Sequence, residues 1–134
     1  MTFKFENLDV WQLSLDYVDQ MYELAEKLPD SERFNLKSQL TRAATSVALN
    51  IAEGSTGQSD AEQSRFLGMA IRSLLETVAC QRIISRRNYI RDQANLNQAD
   101  LKAQELAKRL HAFRKSLAGK TIREESAPYE TNEL

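Results

Sequence analysis

The sequence is poor in the residues that build tight turns and covalent staples: its 134 residues include four glycines, two prolines, one cysteine, one tryptophan and one histidine. So little Gly and Pro excludes a collagenous chain and a loop-rich β architecture. A single cysteine cannot close an internal disulfide, which makes a reducing, cytoplasmic setting the expectation. No apolar run approaches the roughly 18 residues of a bilayer span, and residues 1–7 carry Glu6 where a secretion signal would have an apolar core. No membrane partner is expected. The lone His111 has no glutamate three residues before it, so the paired Glu-x-x-His motifs of di-iron or di-manganese bundles are missing. Cys80 has no histidine near it in sequence and lies on an apolar stripe, which suits a small core hydrophobe better than a nucleophile. The expectation is no enzyme: no catalytic residue, no metal ligand and no cofactor.

What is present is apolar periodicity. With 42% hydrophobic and 28% charged residues the chain is not disordered, and its length suits one domain with one core. Steps of three and four residues predict four helices, at about 8–28, 31–53, 60–88 and 97–118. In the first, Leu8, Trp11, Leu15, Val18, Tyr22 and Ala25 form one stripe after Asn7 as N-cap, and Pro29 ends it. The second starts near Ser31 and stops at Gly54, expected in a left-handed position. Between Ala43 and Ala52 it is apolar on nearly every face, so a second chain is expected to cover the side that one bundle cannot.

Ser59-Asp60-Ala61-Glu62 has the pattern of a capping box and opens the third helix. Its inner stripe is Phe66, Met69, Ala70, Ser73, Leu74, Thr77, Cys80, Gln81 and Ile84, ending near Asn88. The fourth helix shows Ala99, Ala103, Leu106, Leu110, Phe113 and Leu117, with Gly119 closing it. The fold class is therefore all-α: an antiparallel up-down four-helix bundle with short loops over residues 1–119, followed by a flexible, disordered acidic tail over 120–134.

Gly54-Ser55-Thr56-Gly57 has the composition of a phosphate cradle, but it follows a helix and lacks the P-loop lysine, so a helix stop and a turn is the better reading. Two polar patterns remain. Gln39, Arg42, Ser46, Asn50 and Glu53 form a stripe on the second helix, and Ser73, Glu76 and Gln81 on the third are its natural partners. Without a nucleophile, histidine or metal cluster, that stripe suits a register-fixing network or a subunit interface better than an active-site lining, and Arg42 is expected to pair with Glu76 or Glu53.

Charge is the second pattern. Residues 1–40 hold four basic and eight acidic groups, residues 41–120 thirteen and seven, and residues 121–134 one and four. The near-zero total hides a basic middle. Arg65, Arg72 and Arg86 recur at multiples of seven on the third helix, and Arg82, Arg87 and Arg91 gather at its end; Lys108, Arg109, Arg114, Lys115 and Lys120 extend the positive charge along the fourth. Such arginines form a candidate phosphate-contacting surface for RNA or DNA, with a solvated helix face as the alternative. With no interleaved aromatics or base-reading module, any binding is expected to be backbone-driven and salt-dependent.

Phe5-Glu6-Asn7-Leu8-Asp9-Val10-Trp11-Gln12, Leu28-Pro29 with Glu32, Phe34 and Leu36, Gln39 through Val47, Asn50-Ile51-Ala52-Glu53-Gly54, Arg65-Phe66-Leu67, Ala70, Ser73, Leu74, Glu76 and Tyr89-Ile90 together resemble the bacterial four-helix bundle proteins also called 23S rRNA intervening-sequence proteins. The similarity covers most of residues 3–118, and Asn-Ile-Ala-Glu-Gly is its most specific part. Ala48 stands where that family often has proline, and Phe34 where it usually has tyrosine. The resemblance implies a four-helix bundle assembling as a ring-shaped homopentamer. It also implies kinship with the accessory variability determinant proteins of diversity-generating retroelements, which bind nucleic acid and a reverse transcriptase. The functional expectation is a non-enzymatic, oligomeric binding or scaffold module that contacts RNA or DNA; the alternative is a protein-binding adaptor without a nucleic-acid role, its partner engaging the acidic first helix or the tail.

Overall fold

The computed structural model describes residues 2–57 and 59–126, with 120–126 described by backbone alone. It contains four α-helices: α1 (Asp9–Glu26), α2 (Leu36–Gly54), α3 (Asp60–Arg86) and α4 (Gln93–Ser126). Each helix packs on two neighbours, α1 and α3 both lying against α2 and α4, so the helices sit at the corners of a square. The expected all-α bundle is what forms. No helix among the described residues is long and apolar enough to cross a membrane.

Helix ends show where local chemistry differs from the expected boundaries. A 3-10 turn over Lys4–Asn7 precedes α1, so Leu8 and not Asn7 takes the N-cap position. Phe5 meets Trp11 edge to face with ring centroids 4.7 Å apart, which fixes that turn against α1. Expected from Ser31, α2 instead begins at Leu36 after a second 3-10 turn, Asp30–Glu32, because the Glu32 carboxylate accepts from Leu36 N at 3.4 Å and Asn35 Nδ2 at 3.0 Å. Ser59 caps α3 as expected, accepting from Glu62 N at 3.1 Å. The reciprocal half of the capping box does not form, since the Glu62 side chain pairs with Arg65.

Asn88, with φ 58°, takes the left-handed position after α3, and Tyr89 N donates to Ile84 O at 3.3 Å while Asn88 N donates to Ser85 O at 3.1 Å. That is a Schellman stop. α4 starts earlier than expected, at Gln93, with Asp92 Oδ1 accepting from Ala94 N. It also runs through Gly119 to Ser126, since a glycine permits a stop without imposing one. Residues 127–134 of the expected tail lie outside the described residues.

Gly54 is likewise not the left-handed stop that was expected; it is the last residue of α2. Its hydrogen faces α3, where a Cβ would come within 2.8 Å of Phe66 Cβ. Glycine is required there for close approach of two helices.

The core is filled from all four helices. In α4 the expected stripe of Ala99, Ala103, Leu106, Leu110 and Leu117 is buried, with Phe113 packed at its margin. On α3, Leu67 and Ile71 are buried beside Ala70, Leu74, Thr77, Cys80, Gln81 and Ile84, while the expected Met69 is exposed. α1 is rotated from expectation by roughly one residue's step of 100°. It buries Val10, Ser14, Tyr17, Met21, Leu24 and Ala25, and Leu15 and Tyr22 face solvent. The helix carries two apolar stripes. The one through Trp11 and Val18 packs only along the edge of the core.

The buried stripe brings a polar group to the centre. Thr77 Oγ1 spends its proton on Leu74 O at 2.6 Å, so Tyr17 Oη donates to Thr77 Oγ1 at 2.7 Å and in turn accepts from Gln81 Nε2 at 2.8 Å. This relay links α1 to α3 across the diagonal of the square. Burial pushes Tyr17 up to about 12, against the opposing pull of its bonds to Thr77 and Gln81. The phenol is thus neutral at any ordinary pH.

One prediction concerns alkaline stability. An unfolded tyrosine ionises near pH 10 and the folded Tyr17 near 12, so the folded state loses stability as pH rises between those values. Urea unfolding of wild type should lose roughly 2 to 3 kcal/mol more over that interval than Tyr17→Phe does. Parallel curves for the two proteins would contradict the buried relay.

Candidate nucleic-acid interface

The six arginines singled out from sequence do not converge as one surface. Arg65 and Arg72 stand 21 and 14 residues before Arg86 on α3, about 31 and 21 Å along the axis. Arg65 pairs with Glu62 and lies over the Phe66 ring at 4.6 Å. Arg82 reaches across to Asp100 of α4 at 2.7 Å, and that bond holds the Asp100 carboxyl below its usual range. The positive charge on α4 is also partly spent. Arg109 bonds Asp9 and Glu105, each at 2.7 Å, and Arg114 Nε donates to Ser64 Oγ at 3.2 Å.

What remains together is the end of the bundle where α3 stops. Arg86, Arg87 and Arg91 are exposed there, and Ile83, Arg86 and Arg87 line a groove of about 320 Å³. Among the described residues Arg86 and Arg91 make no hydrogen bond or ion pair, and neither does Arg72 farther along the helix. Exposed guanidinium groups without a carboxylate partner are the ones free to take phosphate oxygens bidentately.

Arg87 is held in place. Its Nε donates to Tyr89 Oη at 3.3 Å, its guanidinium lies 5.6 Å from the Tyr89 ring centroid, and Tyr89 Oη donates to Glu32 Oε2 at 2.7 Å. Glu32 belongs to the connection between α1 and α2, so one tyrosine ties the two connections at this end of the bundle. The Tyr89 bond, with those from Asn35 and Leu36, draws the Glu32 carboxyl below its ordinary value. Sequence reasoning missed this cluster. Its only signal was topological: in an up-down bundle the first and third connections share an end.

The polar stripe of α2 is dispersed more than expected. Ser46 and Ser73 hydroxyls meet at 2.9 Å between α2 and α3, and Asn50 Nδ2 donates to Ser46 O at 2.9 Å and Ser46 Oγ at 3.0 Å. Gln39 bonds back to Asn35 instead of across to α3. Arg42, Glu53 and Glu76 are all exposed, and among the described residues Arg42 makes no ion pair with either glutamate. Gln81, expected to serve this stripe, belongs to the Tyr17 relay. Gln39, Arg42, Ser46, Ser73 and Glu76 nonetheless border one groove of about 370 Å³.

The mostly apolar stretch of α2 from Ala43 to Ala52 is largely covered by its own bundle: Ala43, Ala44, Val47, Ala48 and Ile51 are buried. Only a narrow outer strip stays open, with Leu49 at 54% exposure. Leu49, Tyr22 and Met69 share a groove of about 600 Å³ with Arg42, Thr45 and Glu53. No cluster of three or more His, Cys, Asp or Glu that could hold a metal occurs among the described residues. Cys80 is buried, with its thiol pushed up by that burial, and His111 is exposed.

A prediction follows for the tie between the connections. Tyr89→Phe removes the donor to Glu32, so the Glu32 carboxyl should titrate at higher pH in the variant when followed by carbon-13 NMR. An unchanged titration would show that the Tyr89 hydroxyl does not act on Glu32.

Known proteins resemble this chain at two levels. The family model described as 23S rRNA-intervening sequence protein matches residues 6–112, which span α1 to α3 and most of α4. Among solved structures, the crystal structure of a protein of unknown function from the S23 ribosomal protein family of Bacteroides thetaiotaomicron is similar with a TM-score of 0.72. The two chains are 25% identical, and the match covers 79% of this one and 98% of the other. No curated protein matches. A family match over most of the four helices, reinforced by the shared fold, means that this chain belongs to the 23S rRNA-intervening sequence protein family.

Proposed function

We propose that this protein is a non-enzymatic, self-associating scaffold that holds RNA or DNA by its phosphates at the α3–α4 end of the bundle, in the cytoplasm. The observation that carries this reading is the placement of Arg86 and Arg91, exposed and without ionic partners among the described residues, beside an Arg87 oriented by Tyr89. Contacts of this kind read charge and spacing, and each phosphate neutralised releases counterions. The test is fluorescence anisotropy on labelled RNA and DNA between 50 and 200 mM salt, with wild type and an Arg86→Glu, Arg91→Glu double variant. Wild-type affinity should fall steeply with salt, and the variant should bind at least about tenfold more weakly with a salt slope shallower by roughly two. Equal binding by both proteins, or none by either, would overturn the proposal.

Self-association is supported by the outer strip of α2, where Leu49 lies exposed in a groove with Tyr22 and Met69. The homopentameric ring implied by the family resemblance is the assembly proposed. Sedimentation at micromolar concentration should give five copies, and Leu49→Glu should lower that number; a wild-type monomer would exclude it. The alternative, a protein-binding adaptor, draws support from Asp16, Asp19 and Glu23, which leave an acidic face of α1 exposed. Recovery of a protein partner that survives nuclease treatment and is lost when those carboxylates are neutralised would favour it.

A further inference from the structure

The connection between α1 and α2 holds an aromatic ring that packing does not explain. Phe34 is 88% exposed, the most exposed large apolar side chain among the described residues, on a turn whose Asp30, Ser31, Arg33 and Asn35 are also exposed. A ring left in water forgoes its burial free energy and would be replaced by a polar residue at no cost to the fold. Its surroundings are not those of an apolar docking patch, which would gather several hydrophobic side chains. The ring instead has a cation beside it, with the Arg33 guanidinium 5.2 Å from the ring centroid.

This turn is the one tied to the basic end. Glu32, two residues before Phe34, accepts the Tyr89 hydroxyl at 2.7 Å, and the same hydroxyl accepts from Arg87 at 3.3 Å. The exposed ring and the arginines of the α3 end therefore occupy the same end of the bundle. A ring beside guanidinium groups is the arrangement that takes an unpaired base on its face while cations take the flanking phosphates, and a base inside a duplex cannot offer its face in that way.

We propose that Phe34 is a stacking platform for an unpaired base and that the nucleic acid held at this end is single-stranded. The inference rests on the phosphate-binding reading above and adds to it the class of strand.

The experiment compares a labelled oligo-uridine and a mixed-sequence RNA duplex of equal length at one salt concentration, using wild type, Phe34→Ala and Phe34→Trp. Wild type should prefer the single strand. Phe34→Ala should weaken single-strand binding by about fivefold or more and leave both duplex binding and the salt slope unchanged, and Phe34→Trp should restore the loss. Because the ring is 88% exposed, the thermal unfolding of all three should coincide. Duplex and single strand losing affinity equally in Phe34→Ala, or neither losing any, would overturn the stacking role while leaving phosphate binding intact; the second outcome is also the one a protein-docking ring would give. Absence of wild-type binding to either strand would instead remove the reading underneath.

Discussion

One buried hydroxyl constrains how this bundle is assembled. In a square of four helices the neighbours along each edge are held by close packing, whereas diagonal helices share few contacts that set their relative height. Tyr17 supplies that restraint by bonding Thr77 and Gln81 on α3 from its place on α1. A slide of one helical turn would leave the Tyr17 hydroxyl and the Gln81 amide buried without each other, at about 1 to 3 kcal/mol each, while Thr77 would keep its bond to Leu74 O. Ion pairs on the surface, such as Arg82 with Asp100 and Arg109 with Asp9, add little to that discrimination because they are exposed.

Fixing the height of α1 against α3 has a consequence at the end of the molecule. It sets the α1–α2 connection level with the α3 terminus, so that Glu32 can receive Tyr89 and Tyr89 can orient Arg87. The left-handed Asn88 makes this possible by stopping α3 immediately before Tyr89. A core hydrogen bond, a helix stop and a surface cluster thus form one chain of dependence that ends at the exposed arginines and the Phe34 ring.

The parts of this arrangement differ in how legible they were. The α4 stripe could be read because its apolar residues step strictly by four and three and no second stripe competes. On α1 the sequence offers two apolar stripes, and the choice between them depends on Ser14 and Tyr17, which look like surface residues until Tyr17 finds Thr77 and Ser14 bonds Trp11 O. Gly54 was marked correctly as special but for the wrong reason, since close approach to Phe66 is a tertiary fact. Arginine spacing identified a basic helix, yet which arginines remain unpaired depended on Glu62 and on Asp100, the latter eighteen residues from Arg82. The Glu32–Tyr89 tie, 57 residues apart in sequence, left no local trace.

The most direct test of the proposed binding is whether a nucleic acid crosslinks to the bundle, and where. A single strand carrying 4-thiouridine, photocrosslinked to the full chain and mapped by mass spectrometry, should form adducts around Arg33 and Phe34 and within residues 86–91. Adducts confined to the α4 lysines or to the α2 groove would contradict it.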